Sequence, residues 1–433
     1  MNRFCKAAAL AATLLCASLL PGCGGGFGLN DASLRLVNAS SGFDSLDLYV
    51  DDTLRTSAVL RGAGSGYVDV GSSVDVALTR SGATTQLINE TRSFDKRKHY
   101  TLLAYGSAGS IRTLQIGEDV GAPASGKTLL QLVNVAPDAG SLDVYVTGSD
   151  EPLLDAAPVV SGLASGGALT SVTVSSGTRR LRVTAAGSKT DLRLDLSDFV
   201  LSSERVLTLA LTAGSGGLMV NALRIEQQGA VTQPAATQAR VRALAAVSGN
   251  GSVSVSVGGT ALLSGSITPS VGAYALVPAG SPDIVATVAG AALVSVPLPT
   301  PAPSFTAGGE YTLLIWGDAA SPQMSLVVDD NRLPTLASNA NLRLIHAVTG
   351  LPDTLSMTAA LAPVANGVLP GQASSPFGVP SGSNIRIEVR TPATAGTLFA
   401  PDPANVTLAA GAVYTVLVHG TLAAPQGQII RER

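Results

Sequence analysis

Leu34-Arg35-Leu36-Val37-Asn38-Ala39-Ser40, followed by Leu46-Asp47-Leu48-Tyr49-Val50-Asp51, is the stretch that decides the reading, because the chain repeats it. It returns as Leu130-Gln131-Leu132-Val133-Asn134-Val135-Ala136 with Leu142-Asp143-Val144-Tyr145-Val146. A worn copy is Val241-Arg242-Ala243-Leu244-Ala245-Ala246-Val247 with Val253-Ser254-Val255-Ser256-Val257, and the last is Leu342-Arg343-Leu344-Ile345-His346-Ala347-Val348 with Leu355-Ser356-Met357. A second stretch keeps phase with the first: Tyr100-Thr101-Leu102-Leu103, Leu207-Thr208-Leu209-Ala210, Tyr311-Thr312-Leu313-Leu314 and Tyr414-Thr415-Val416-Leu417. Solenoid repeats fall at roughly 20–50 residues. A spacing of about a hundred is the size of a whole domain, so four tandem domains are expected.

Within a unit the apolar residues alternate. Leu46, Leu48 and Val50 point one way while Asp47, Tyr49 and Asp51 point the other, and Val74, Val76 and Leu78 do the same. Period-two strands bury one face and wet the other. Seven such strands, at 34–39, 46–51, 66–70, 73–79, 86–93, 99–106 and 111–116, with turn signals such as Ser81-Gly82, predict an all-β immunoglobulin-like antiparallel sandwich. The expected division is a leader at 1–22, a tether at 23–33, and sandwiches at 34–119, 128–228, 239–331 and 341–433. The stretch from Asp150 to Thr170 reads as loop, and Val296-Pro297-Leu298-Pro299-Thr300-Pro301-Ala302-Pro303 as an edge or an extended loop, since proline cannot donate to a ladder.

Composition agrees: 46% of the 433 residues are hydrophobic and 13% charged, with 47 Gly and 24 Pro, which suits short strands joined by tight turns. The formal charge of −3 supplies no basic field for a nucleic acid. The dense basic run Lys96-Arg97-Lys98-His99 reads as a solvated turn.

Arg3 and Lys6 precede an apolar run from Ala7 to Leu20, and Leu20-Pro21-Gly22-Cys23 closes it. The run is too short for a transmembrane helix and reads as a secretory leader. Its end resembles the lipobox of bacterial lipoproteins, which implies acylation of Cys23, with Gly24-Gly25-Gly26-Phe27-Gly28 as a flexible tether. Gly24 is not the aspartate associated with inner-membrane retention, which implies an outer-membrane address. The three cysteines are Cys5, Cys16 and Cys23, so no disulfide can form in the sandwiches.

Arg35 to Val50, Asn134-Val135-Ala136-Pro137-Asp138 with Leu142 to Val146, and Arg343 to Asp353 together resemble the DUF4397 family of bacterial secreted proteins. Its hallmark is an arginine-led R-x-x-H/N-A strand followed by an aspartate and a V-D-V-Y-V strand. The third unit lacks both the aspartate and the tyrosine. The resemblance implies an all-β extracytoplasmic fold and no particular activity.

Chemistry is sparsely signalled. G-x-S-x-G and G-x-G-x-x-G are absent. Ser93-Phe94-Asp95-Lys96 matches S-x-x-K without the motifs that accompany it in penicillin-binding enzymes. His346 and His419 share a unit and are the pair nearest to a metal site, but no third ligand is signalled. Asp44 and Asp47 correspond to Asp138 and Asp143, and aspartate before a strand caps turns through the backbone. No D-x-D-x-D-G calcium loop is present. No catalytic, cofactor-binding or metal residue is assigned. The expectation is a non-catalytic envelope lipoprotein, anchored in the membrane at Cys23, whose sandwiches bind or adhere to a protein or glycan. The alternatives are a structural spacer or an accessory module of an envelope enzyme system.

Overall fold

The computed structural model describes residues 31–249, 251–394, 396–401 and 405–433. The leader and Cys23 lie outside them. Among the described residues there is no α-helix, and the one helical turn is the 3-10 segment Pro137–Ala139.

The first unit holds β1 (Ala32–Asn38), β2 (Ser45–Val50), β3 (Thr53–Leu60), β4 (Val68–Val70), β5 (Ser73–Arg80), β6 (Gln86–Ser93), β7 (His99–Tyr105) and β8 (Arg112–Gly117). They form two sheets, ordered β4-β1-β7-β8 and β3-β2-β5-β6. Leu34, Leu36, Leu102 and Ala104 from one sheet meet Leu46, Leu48, Val76 and Leu78 from the other in a common core. The same order recurs in the other three units, each with its own core.

Two features refine the expected sandwich. β1 and β7 pair in parallel, Leu34 opposite Tyr100 and Leu36 opposite Leu102, whereas the other pairings in the unit are antiparallel. The long excursion through the opposite sheet between β1 and β7 makes a parallel return possible. The second feature is β3, an eighth strand that the alternation did not predict. Its ladder with β2 is broken by bulges and Ala58 sits at φ 55°, so the period-two pattern slips and most of its residues are exposed. The equivalent strand of the second unit, Val160–Leu163, lies inside the stretch read as loop. The proline run at 296–303 carries no ladder, as an extended loop should.

Tyr100 is the second residue of β7, and its hydroxyl accepts the Asp95 N–H at 3.0 Å. Tyr311 and Tyr414 do the same for Thr306 and Ala409, at 2.9 and 3.0 Å. Such a corner fixes the chain where it crosses between sheets. The second unit has Leu207 at this position and lacks the bond.

The sandwiches are not separate beads. All seven residues of β1 are buried, because the sheet carrying it is covered on both faces. Its outer residues Val37, Leu103, Tyr105 and Ile116 pack on Val133, Ala210, Leu223 and Ile225 of the second sandwich. Leu244 and Leu314 of the third likewise meet Ile345, Ala347 and Leu417 of the fourth. Burying each large aliphatic side chain stabilises by about 1.5–3 kcal/mol, so these seams join the sandwiches into two pairs.

Candidate functional site

The arginine that leads the repeated stretch lies in these seams. In β1, side chains alternate, so the Leu34 and Leu36 side chains enter the sandwich core while Arg35 enters the seam. Its Nε donates to Thr101 Oγ1 at 2.8 Å and its Nη2 to Glu118 Oε1 at 2.7 Å. Arg35 also crosses the seam, donating to the carbonyl oxygens of Glu226, at 2.9 Å, and Gly229. The Tyr67 hydroxyl donates to the other oxygen of Glu118. Burial and the neighbouring Glu118 carboxylate push the Tyr67 hydroxyl above its ordinary value.

Between the third and fourth sandwiches the arrangement is doubled and reciprocal. Arg242 reaches across to Glu432 with two bonds of 2.7 and 2.6 Å, and Arg343 reaches back to Asp329 at 2.8 Å. Each arginine also donates from Nε to the threonine of its own sandwich, Thr312 or Thr415. Tyr274, equivalent to Tyr67, donates to Asp329 at 2.8 Å, and the Arg240 and Arg242 guanidiniums lie over its ring at 3.8 and 4.6 Å. Burial alone would raise the Asp329 carboxyl, but Arg343 and Arg242 outweigh it and hold the group below its usual range.

The second sandwich departs from this pattern in a compensated way. Gln131 stands where the others carry arginine, and Gln227 stands where they carry Glu118, Asp329 or Glu432. Gln131 accepts from Thr208 at 3.0 Å, and Gln227 binds the backbone of Val120 across the seam. The cation and the anion are lost together, so no buried charge is stranded.

The other polar residues of the repeat are occupied by the backbone. Asn38 donates to the carbonyls of Phe43 and Val59 and accepts the Ser40 N–H at 3.1 Å. Asn134 ties Gly140, Leu163 and Ala136 in the same way. His346 takes over that task in the fourth sandwich: Nδ1 accepts the Val348 N–H at 3.2 Å and Nε2 lies 3.1 Å from the Asp353 carbonyl. Asp47 accepts the N–H groups of Ala58 and Gly82, at 2.7 and 3.1 Å, and Asp143 those of Gly162 and Gly187, at 2.7 and 2.8 Å. Both carboxylates thus pin a bulge and a turn. Of their sequence companions, Asp44 pairs with Arg61 at the surface, while Asp138 accepts the N–H of Leu333, between the third and fourth sandwiches, at 3.0 Å.

The parallel register places Ala347 opposite His419 and His346 opposite Val418, so the two imidazoles face opposite sides of their sheet. Among the described residues no group of three metal-ligating side chains converges. Ser93 ends β6 and Lys96 lies in the following turn, not on the helix start that S-x-x-K chemistry uses. Lys96, Arg97 and Lys98 are exposed in that turn, where Arg97 takes φ 61°.

His346 yields a pH prediction. It is fully buried, and burial pushes its imidazole below the ordinary value, against the bond to Asp353. The unfolded chain then binds the proton more readily, so stability is whole above about pH 6.5 and falls as pH drops below it. Chemical denaturation of His346→Asn, which installs the residue of the first two sandwiches, will show a weaker dependence between pH 7 and 5. His419, also lowered by burial, will contribute in the same direction.

Sequence reasoning missed the seam. The signal was present: Leu102-Leu103-Ala104 and Ala243-Leu244-Ala245-Ala246-Val247 are unbroken apolar runs, the mark of strands covered on both faces.

No match to the chain is found among curated proteins. Among solved structures, a Bacteroides uniformis protein described as a "putative cell adhesion protein" is 14% identical, with a TM-score of 0.22, over 48% of this chain and 99% of its own. A family 26 carbohydrate-binding module from Eubacterium rectale, solved with maltoheptaose, is 15% identical, with a TM-score of 0.15, over 42% of this chain and 92% of its own. The Bacillus anthracis TIE protein is 7% identical, with a TM-score of 0.14, over 90% of this chain and 67% of its own. The sequence profile of a domain of unknown function, DUF4397, matches residues 32–145 and 239–354. Each match starts at the first strand of one seam-joined pair and runs on into its second sandwich. Those two matches take in more than half of the chain, which belongs to the DUF4397 family.

Proposed function

We propose that this protein is a non-catalytic component of the bacterial cell envelope, held in the outer membrane by acyl chains on Cys23, that presents its paired sandwiches for binding or adhesion to a protein or glycan. One observation carries the non-catalytic part. The polar side chains that recur in the repeated stretch, Arg35 and its equivalents, Asn38, Asn134 and His346, Asp47 and Asp143, are engaged in seams, turns and loop ties. A catalytic group needs an open position beside its substrate, and these have none.

A structural spacer is the second reading, favoured by the state of Trp316. Its Nε1 donates to Ser325 at 3.0 Å and its ring packs where Gly371 leaves room for it, so it is not an open stacking platform for a sugar. An accessory role beside an envelope enzyme is the third. Labelled palmitate will enter the wild-type chain and not Cys23→Ala; incorporation into neither defeats the anchor. A glycan array and a pull-down with the mature protein separate binding from spacing: a saturable partner supports the first, and a blank in both supports the second.

A further inference from the structure

We infer that the two sandwich pairs are locked to each other by a buried carboxylate, Glu310, so that the protein is a single fixed-angle arm with the loop end of the second sandwich withdrawn from outside partners. Glu310 is the first residue of the strand Glu310–Asp318 in the third sandwich and is 1% exposed. Its Oε1 accepts the N–H groups of Leu218 and Met219, at 2.6 and 2.9 Å, both from the second sandwich. Its Oε2 receives Arg240 at 3.2 Å and Asn331 at 2.9 Å. Arg240 in turn reaches Asp191 of the second sandwich at 3.4 Å.

The second sandwich is shaped for this contact. A Cβ on Gly216 would stand 2.6 Å from the Glu310 side chain, and one on Gly217, at φ 97°, would stand 2.8 Å from the Arg332 nitrogen. Only glycine permits so close an approach. Two further ties come from elsewhere in the chain. Asp138 accepts the Leu333 N–H, and the Arg433 guanidinium donates to the carbonyl oxygens of Asp138 and, at 3.5 Å, Asn331. Both end loops of the second sandwich, at 135–141 and 214–219, are therefore held by the third and fourth.

Among the described residues the lock occurs once. The positions equivalent to Glu310 are His99, Val206 and Val413, and the hairpin equivalent to 214–219 in the fourth sandwich is the two-residue turn Leu422-Ala423. The fourth sandwich therefore offers no second cradle of this kind. Swinging the pairs apart would strip a buried carboxylate of two backbone donors, which is far costlier than parting an exposed contact. This inference is independent of the anchor at Cys23.

Electron spin-echo distances test it. The chain has no cysteine beyond Cys23, so a full chain with Cys5, Cys16 and Cys23 changed to serine takes labels cleanly at Thr178→Cys and Ser264→Cys, both exposed and on opposite sides of the joint. One narrow distance distribution is expected, broadening severalfold in Glu310→Ala and in Gly216→Ala. A control pair at Ser264→Cys and Thr397→Cys, within the third and fourth sandwiches, will stay narrow. A broad distribution in the parent chain, or an unchanged one in both variants while the control stays narrow, overturns the inference. If Glu310→Ala broadens the control as well, it has disturbed the pair itself and Gly216→Ala decides.

Discussion

Arg343→Ala will destabilise the third and fourth sandwiches by about 3–5 kcal/mol, the cost of breaking a buried ion pair from one side. Arg343 is 2% exposed and bonds Asp329 at 2.8 Å, with Glu432 at 3.4 Å. Removing it leaves two carboxylates facing Arg242 alone. Because Asp329 belongs to the third sandwich, the loss will appear in both members of the pair, read by urea denaturation with tryptophan fluorescence from Trp316 at the seam. The double change Arg343→Leu with Asp329→Leu will recover much of it, since a well-packed apolar pair can replace a buried ionic one. If Arg343→Ala costs no more than an exposed salt bridge, about 1 kcal/mol or less, the seam is open to water and the buried-charge account is wrong. Acid acts on the same cluster. The Asp329 carboxyl is depressed, so its contribution is present above the unfolded value, about 3.9, and is lost as pH falls through its lower folded value.

Ile345→Ala will cost about 2–5 kcal/mol, the range for deleting a fully buried aliphatic side chain. Ile345 is 0% exposed, yet it does not belong to the core of its own sandwich; it lies in the seam with Leu244, Leu314 and Leu417. Its loss will therefore loosen a neighbour. Hydrogen exchange should quicken in Gln238–Ser248 and Glu310–Asp318 of the third sandwich as much as in Asn339–Thr349, which carries the substitution. Exchange confined to the fourth sandwich would mean that the two fold independently.

These two residues also show what the sequence could tell. The fourfold repeat and the alternation of Leu46, Leu48 and Val50 made the sandwich legible, because a core facing one way leaves a period-two trace. β3 was hidden since a bulge at Ala58 puts the pattern out of step. The charge clusters were hidden for another reason: Arg35 and Glu118 are 83 residues apart, and nothing local links them. Only the repeats disclose the link, through the joint replacement of both charges by Gln131 and Gln227. The aspartates and His346 were visible as regular positions, but their purpose depends on which amide groups the turns present to them. Cys23 belongs to a stretch outside the described residues.

A sheet greasy on both sides obliges the repeat to count in twos. A chain with three such units, or with one, would carry an unshared oily wall into water, a liability for sticking to its neighbours. Gene duplications that lengthen or shorten this architecture should therefore survive when they add or remove a couple, and a lone extra copy should persist only where a second molecule lends it a mate.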